Sequence, residues 1–475
     1  MYSFDDLPDE LLVEVLNAMT PKFLKKQEGT RKQELCTLRL VSKRINALIT
    51  PRLFDSLRLV APAASGLKLS DCVRYSEIIT ALAISSPLAR VFERTTILYV
   101  SIFQLFLDQE DESTTPELTT AILQARTAVQ QHLFAAVAAL RNLRSVSWLY
   151  GMLEPSDITT DFVRALGTLK ILAHFEFYGK IDPNNTTISF QPLSNLRSVK
   201  VSWESPPTET FLLQVAQLIT RSPNLQGLTA RNLRPVMEPS FNTLVLSLPQ
   251  PLQLTQLDLY GIGITSDVRN RIQHFHNLTT LVLMNGPWKA HQSSLWPCLG
   301  EHAIHLKSLS TDAMIYPRLF EYLISYMGLE ELCLRAKHSA DDSGDIVDRF
   351  YSILAQHHKT LRKVQLRSPR GKAWVQQPTD AQLEGILKCR KLKELSVCFS
   401  FTREKLQSKN TTSVMIWLQA AMQLPELEHL QLCLPHNSLR RVTQLEAAME
   451  FSKAILEEFE EDSKSVHFVT EIILD

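Results

Sequence analysis

Glycine is scarce in this sequence, with 14 among 475 residues. Three glycine motifs are absent: the P-loop Gly-x-x-x-x-Gly-Lys-Ser/Thr, the dinucleotide fingerprint Gly-x-Gly-x-x-Gly and the nucleophile elbow Gly-x-Ser-x-Gly. In these motifs glycine lets the backbone approach a phosphate or turn sharply enough to expose a serine. We therefore expect a protein that is not an enzyme and needs no cofactor.

Cysteine and histidine also form no recognisable site. None of the seven cysteines belongs to a Cys-x-x-Cys motif, and several lie inside apolar runs. That usage is typical of buried free thiols in a reducing compartment, so we expect a cytoplasmic or nuclear protein. The pairs His274/His276, His302/His305 and His357/His358 have no cysteine or carboxylate partner at ligand spacing, and no metal site is expected.

Long apolar runs and an excess of one charge are missing as well. The longest apolar stretch, near residues 97–107, is far shorter than the roughly 20 residues that cross a membrane. Lysine plus arginine and aspartate plus glutamate each total 50, so net charge does not favour a membrane surface or nucleic acid. One basic cluster consists of Lys388, Arg390, Lys391 and Lys393. Such a cluster is more typical of a solvated face; RNA binding or nuclear import is the alternative.

A leucine repeat dominates the sequence instead. The phrase Leu-x-x-Leu-x-Leu, with conservative replacements, recurs eleven times at a mean spacing of about 28 residues. Such regular recurrence is the signature of a repeat architecture. The phrases begin at Leu143, Leu172, Leu196, Leu225, Leu254, Leu278, Leu306, Leu329, Leu361, Leu392 and Leu427.

The phrase predicts one strand per repeat. Its last two leucines share one side of a strand, because strand side chains alternate. The roughly twenty residues between phrases suffice for the crossover that parallel strands require. Many intervals carry apolar residues at helical spacing and are expected to form helices, such as Phe211, Val215 and Leu218, or Val268, Ile272 and Phe275. The predicted fold is an α/β solenoid, a curved array with inner parallel strands and outer helices; a solenoid of helices alone is the alternative.

The ends of the array look atypical. Residues 54–142 contain two weak strands, Ser56–Val60 and Thr95–Ile102, followed by a helix from about Glu117 to Leu140. Residues 445–475 are expected to form a closing cap of one helix and one strand, since an open sheet edge must be covered. The solenoid proper is expected over residues 143–444.

The first 53 residues have a different pattern. Leu7-Pro8-Asp9-Glu10-Leu11-Leu12 opens an apolar helix, and a second helix is predicted over Leu35–Ile49, ended by Pro51. Together with Leu38-Arg39-Leu40-Val41-Ser42-Lys43-Arg44-Ile45-Asn46, these segments resemble an F-box of the fungal type, a short three-helix motif. The repeats resemble those of the F-box/leucine-rich-repeat subfamily. This sequence departs from the family pattern in two respects: the linker between the two helices is long, and no regular asparagine follows each leucine phrase.

The resemblance implies a function and two sets of partners. An F-box binds a Skp-family adaptor and, through it, a cullin–RING ubiquitin ligase, while the repeats hold a protein target. The residues that would face the adaptor or close the F-box are Leu7, Pro8, Leu11, Leu12, Val15, Leu16, Leu40, Val41 and Ile45.

The target is expected on the concave strand face, at positions between and just after the phrase leucines. Arginine and tyrosine there are typical interface anchors. Arg335, Lys363 and Arg367 lie on adjacent repeats and are suited to an acidic or phosphorylated segment; a solvated strand face is the plainer interpretation. The full predicted set is Tyr178, Lys200, Arg231, Tyr260, Asp312, Arg335, Lys363 and Arg367.

A second function remains open from the sequence. The chain is either a ligase substrate receptor or a leucine-rich-repeat scaffold that binds proteins without a ligase role. An enzyme is a distant third, because the strand-facing positions offer no convergent polar constellation.

Overall fold

A computed structural model covers the chain and describes most of it. The described residues are 42–60, 68–84, 94–106, 115–151, 154–180, 188–205, 207–233, 241–245, 250–264, 266–286, 294–312, 317–335, 344–367, 379–398, 412–435 and 467–473, with positions 8, 12, 37, 40, 92 and 248.

Parallel strands recur along the whole described chain and confirm the α/β solenoid. Each of the eleven phrases lies at a strand, β3 to β13, and the two predicted early strands are also present. The strands are β1 Ser56–Val60, β2 Ile97–Ser101, β3 Ser145–Tyr150, β4 His174–Gly179, β5 Ser198–Trp203, β6 Gly227–Asn232, β7 Gln256–Tyr260, β8 Thr280–Met284, β9 Ser308–Thr311, β10 Glu331–Arg335, β11 Lys363–Arg367, β12 Glu394–Cys398, β13 His429–Pro435 and β14 His467–Ile473.

Helices connect most of these strands. They are α1 Lys43–Leu53, α2 Leu69–Ala83, α3 Pro116–Ala138, α4 Ser156–Gly167, α5 Glu209–Thr220, α6 Phe241–Val245, α7 Leu295–Glu301, α8 Pro317–Ile324, α9 Gly344–Gln356, α10 Asp380–Leu387 and α11 Thr412–Met422, with 3₁₀ helices at Phe103–Phe106 and Ser266–Phe275.

Contacts divide the chain into two compact units. The first comprises residues 1–201 and 207–222, and the second comprises residues 202–206 and 223–475. In each unit, strands that follow one another in the chain are neighbours in the sheet. The domain boundaries expected from the sequence rest on motif content instead of contacts and stay predictions.

Leucines of successive phrases lie level with one another. Leu257 pairs in register with Leu228 and Leu281, and Leu259 with Leu283. These positions are fully buried, whereas the residues between them are more exposed. Stacking identical rows therefore builds a continuous apolar layer on the helix-covered side of the strands.

The backbone repeats an additional contact at the start of most of the described strands. The carbonyl of Thr255 accepts the N–H groups of Thr279 and Thr280 at 2.9 and 3.0 Å, and that of Lys307 accepts Glu330 and Glu331 at 2.7 and 2.9 Å. The same double acceptance begins in the first unit, where Asp55 receives the N–H groups of residues 96 and 97. These strands are thus fixed in register before their first ladder bonds.

The start of the array uses other residues in place of leucine. Phe54 precedes Leu57 and Leu59 at the spacing of a phrase, and Thr95 does the same before Leu98 and Val100. Thr95 is buried and its hydroxyl donates to the carbonyl of Phe54 at 2.9 Å. A hydroxyl that finds a backbone partner can occupy a leucine site without leaving a buried polar group unsatisfied.

Side chains replace the missing asparagine in holding the turns. Near the start of four phrases a backbone N–H donates to a side chain from the following repeat. The pairs are Leu196 to Ser222 Oγ at 3.2 Å, Leu252 to His274 Nδ1 at 3.1 Å, Leu306 to the Tyr322 hydroxyl at 3.3 Å and Leu329 to His357 Nδ1 at 3.4 Å. The buried amides are therefore satisfied by several residue types at equivalent places.

The core of the first unit is aromatic. The Trp148 ring meets Tyr150, Phe162 and Phe177 edge to face, with centroids 5.6, 5.0 and 5.4 Å apart. Edge-to-face pairs contribute beyond their buried area. In this unit large aromatic rings fill the space between the strands and the helices, whereas in the second unit leucines fill it.

Several local predictions are wrong. The helix predicted over Leu35–Ile49 does not run through Ser42, which is extended (φ −153°) and caps α1 by accepting the N–H of Ile45 at 3.1 Å. Pro51 does not end that helix, since a proline in the last turn removes only one backbone bond. The stretch with Val268, Ile272 and Phe275 forms a 3₁₀ helix. The predicted helix within residues 445–461 lies outside the described residues.

No helix among the described residues is long and apolar enough to span a membrane.

The two buried histidines predict a pH dependence of stability. Burial lowers the pKa of His274 and of His357, so both are neutral in the fold and accept an N–H through Nδ1. A histidine in the unfolded chain protonates near pH 6.5. The free energy of unfolding should keep its full value above that pH. It should decrease as the pH drops further, by up to about 1.4 kcal/mol per histidine for each pH unit.

Urea unfolding at pH 7 and pH 5.5 measures this loss. The double variant His274→Gln/His357→Gln keeps an acceptor that does not titrate and should flatten the dependence. His174→Gln, at an exposed position, is the control and should leave it unchanged. An equally steep acid loss in the double variant contradicts the assignment.

Candidate protein-interaction surface

The open face of the strands is a surface that repeats along each unit. It consists of the strand positions that alternate with the buried leucine positions, as the burial of β4 and β10 illustrates. Helix packing does not determine these residues, so they are available for binding. All eight predicted target residues belong to this face or to the position just after a strand.

In the first unit the open face combines aromatic, aliphatic and charged side chains. Arg58 on β1 lies over the Tyr99 ring of β2, with 5.1 Å between the guanidinium carbon and the ring centroid. Leu149 on β3 is 36% exposed, and Tyr178 on β4 is half-buried. Arg58, Tyr99 and Leu149 were not predicted as site residues, because the two early strands carry no leucine phrase and Leu149 offers no charge.

Lys200 forms an ion pair with Glu176 on the neighbouring strand. Both side chains are more than a third exposed. Water screens such a pair strongly, so its net contribution to stability is small. Lys200 therefore lies on the open face, with its charge balanced within the sheet.

In the second unit one buried carboxylate organises two predicted residues. Asp258 on β7 accepts a hydrogen bond from the Arg231 guanidinium of β6 at 2.6 Å, and only 8% of its side chain is exposed. The guanidinium also lies 5.9 Å from the centroid of the Tyr260 ring. Asp258 thus fixes a cation beside an aromatic ring, an arrangement suited to contact with a partner chain.

Asp312 has a structural contact. It is buried, and its carboxylate accepts the backbone N–H of Asn285 at 2.6 Å. Asn285 has a positive φ of 52°, which is uncommon for a residue other than glycine. The carboxylate therefore stabilises the turn that follows β8.

The predicted basic trio divides into a pair and a separate lysine. Arg335 and Arg367 are register partners on β10 and β11. Lys363 lies at the other end of β11 and forms an ion pair with Glu394 on β12.

The predicted adaptor residues fall into two groups where they are described. Leu12 and Ile45 are buried, and Ile45 packs with Ile49, Leu48 and Phe54. Pro8 is exposed, and Leu40 is 79% exposed. Leu7, Leu11, Val15, Leu16 and Val41 lie outside the described residues.

One buried acid was not singled out from the sequence. Glu154 follows β3, and its carboxylate accepts the N–H of Gly151 at 3.2 Å. Burial raises the pKa of Glu154 to about 8, although the bond from Gly151 opposes the shift. The carboxyl group therefore carries its proton at neutral pH, which lowers the cost of burying it beside Trp148.

The histidines of the sequence pairs take part in packing. Besides accepting the N–H of Leu329, His357 donates from Nε2 to the carbonyl of Leu323 at 3.0 Å, and His305 stacks on the Tyr326 ring at 4.9 Å. Among the described residues, no group of three or more histidine, cysteine, aspartate or glutamate side chains is arranged to hold a metal ion.

Comparison with known proteins yields a likeness to solved structures. No known protein family and no curated protein matches this sequence. The chain is similar to the leucine-rich-repeat ectodomain of the Arabidopsis receptor kinase HAESA, solved with an N-terminally extended IDA peptide hormone. The two are 13% identical with a TM-score of 0.29; the match covers 71% of this chain, which spans 55% of that ectodomain. The fold assignment rests on the strands and repeats described above.

The Arg231–Asp258 contact predicts a measurable difference between two ion pairs. Arg231→Ala leaves a buried carboxylate without its cation and should lower the free energy of unfolding by about 2 kcal/mol. Lys200→Ala, which leaves the half-exposed Glu176 in water, is the matched control and should cost less than about 1 kcal/mol.

Urea unfolding followed by circular dichroism compares the two variants. Adding Asp258→Asn to Arg231→Ala should recover part of the loss, because the buried charge is gone. If Arg231→Ala and Lys200→Ala lower the free energy of unfolding by equally small amounts, the buried Asp258 carboxylate is not stabilised by Arg231.

Proposed function

We propose that this chain is the substrate-recognition subunit of a cullin–RING ubiquitin ligase. Its N-terminal motif binds a Skp-family adaptor, and the open face of its strands holds a protein target. The chain itself performs no chemistry in this proposal. It raises the concentration of the target near a conjugating enzyme that partner subunits bring.

The observation that carries the adaptor half is the exposure of Leu40. An F-box-like segment whose only role was to pack on the repeats would direct its apolar residues inward. Leu12 and Ile45 do so, but Leu40 is 79% exposed just before the cap of α1. Burying one such side chain at an interface contributes about 1.5–3 kcal/mol.

The target half is supported by the chemistry of the open face. Arg231 with Tyr260, and the register pair Arg335 and Arg367, supply residue types that anchor protein interfaces. The arginine pair favours a target segment that carries carboxylates or phosphates, since guanidinium groups bind these anions through paired hydrogen bonds.

A repeat scaffold without a ligase role is the second candidate. The same open face serves it equally well, and the two functions differ only in whether an adaptor binds. The N-terminal motif therefore decides between them.

Co-purification with a Skp-family adaptor tests the proposal. Wild type should recover the adaptor stoichiometrically, whereas Leu40→Asp should reduce recovery at least tenfold, because a charge would enter an apolar interface. Leu213→Asp is the matched control: Leu213 lies on α5, is 54% exposed, and its change should have no effect.

Circular dichroism of all three proteins checks that the variants fold. If wild type recovers no adaptor at micromolar concentrations, the ligase role is wrong and the scaffold function stands. Equal loss of adaptor in both variants would show that Leu40 is not part of the interface.

A further inference from the structure

Two adjacent repeats of the second unit concentrate basic residues where the chain enters β11 and β12. Lys359 and Arg390 occupy equivalent positions, two residues before the first leucine of the phrase. Arg362 and Lys393 also correspond, because each directly follows that leucine. The two repeats together carry seven basic residues in these turns: Lys359, Arg362, Lys363, Lys388, Arg390, Lys391 and Lys393.

Three of the seven cations are neutralised by carboxylates of the same two repeats or of the next one. The ion pairs are Lys363 with Glu394, Lys388 with Glu384 and Lys393 with Glu428. The other four side chains are exposed, and none of them forms an ion pair with another described residue. We call these four residues the basic rim: Lys359, Arg362, Arg390 and Lys391.

Backbone bonding brings the two halves of the basic rim side by side. The carbonyl of Arg362 accepts the N–H groups of Lys393 and Glu394 at 2.8 and 3.0 Å. The charges are also within reach of one another: Glu428 raises the pKa of Lys393, whereas the positive charge of Arg362 lowers it. Neighbouring strands lie about 4.8 Å apart, and lysine and arginine side chains are long enough to meet at one ligand across that distance.

Acidic residues bound the basic rim on both sides. Glu330 and Glu331 lie at the start of β10, and Glu426 and Glu428 lie just before β13. Glu330 faces Lys307 of the preceding repeat, with 3.8 Å between the charged atoms. The unpaired positive charge is therefore confined to the width of two repeats.

This arrangement defines the partner by its charge and its length. We propose that the basic rim binds a short acidic segment of a partner protein through the carboxylates of that segment. Exposed lysine and arginine side chains form charge-assisted hydrogen bonds with such carboxylates. The basic rim lies at the amino-terminal edge of the strands, so this binding does not depend on the adaptor or on the ligase role.

A nucleic acid fits the same surface less well. Its phosphates form a continuous row, which would run from the basic rim onto the flanking glutamates. Proteins that bind single strands also stack bases on aromatic side chains. Residues 357–363 and 384–394 contain no phenylalanine, tyrosine or tryptophan. A segment with only a few acids avoids both difficulties.

Fluorescence anisotropy of the full-length protein tests the proposal. The probe is a fluorescein-labelled peptide that carries a short run of glutamates between glycine–serine ends, and a single-stranded oligouridylate of equal charge is the comparison. Wild type should bind the peptide more tightly than the oligouridylate at about 0.15 M salt, where screening leaves only close contacts. Binding should weaken as the salt concentration rises.

Two charge-reversal variants locate the binding. Lys359→Glu/Arg362→Glu should weaken peptide binding at least tenfold, because two attractions become two repulsions. Arg141→Glu/Arg144→Glu is the matched control: both residues are exposed and stand at the same positions relative to Leu143 in the first unit. The control should change the affinity less than twofold, and circular dichroism checks that both variants fold.

Three results would overturn the proposal. They are no peptide binding by wild type, equal weakening in both variants, and tighter binding of the oligouridylate lost in Lys359→Glu/Arg362→Glu alone. The last result would make a nucleic acid the partner. Adaptor recovery by Lys359→Glu/Arg362→Glu should equal that of wild type, so this test and the test of the ligase role fail separately.

Discussion

The parallel register of the leucine rows is the constraint on which the structure depends. A strand that slipped by one residue would turn its buried leucines toward solvent and bring polar residues into the core. Double acceptance by the carbonyl before most of the described strands, as at Thr255 and Lys307, fixes the same register through the backbone. Burial and backbone bonding thus select one alignment, and repetition extends it along each unit.

That constraint determines where function can reside. The helix-facing positions are occupied by leucines and aromatic rings, and any change there costs packing. The side chains at the alternate strand positions contact side chains of the neighbouring strands instead of the helices. These positions therefore hold arginine beside tyrosine at Arg231 and Tyr260, and ion pairs such as Lys363 with Glu394. A repeat sheet offers the same chemistry at a regular spacing, which suits an extended protein segment more than a small molecule.

Much of the fold could be predicted because its signal is periodic. The leucine phrases located β3 to β13, and alternation within them identified the open face. The early strands were harder to recognise, since Phe54 and Thr95 stand where the phrase has leucine. Helix type was not predictable from spacing alone: apolar residues at 268, 272 and 275 fit an α-helix, but the chain forms a 3₁₀ helix there.

The candidate site was predicted less completely, because partners across strands depend on register. Lys363 looked like a third member of a basic cluster, yet it is paired with Glu394 from the next repeat. Asp312 looked available for a target, yet it holds the turn at Asn285. The replacement of an asparagine ladder by Ser222, His274, Tyr322 and His357 was also hidden, since three residue types share one role.

Amide hydrogen exchange of the full-length protein at neutral pH tests the register most directly. The account predicts slow exchange in peptides that cover the strands of all eleven phrases, and equally in residues 54–60 and 95–101, where the phrase is altered. Exchange in those two segments as fast as in urea, with protection confined to helices, would contradict a parallel array built on leucine rows.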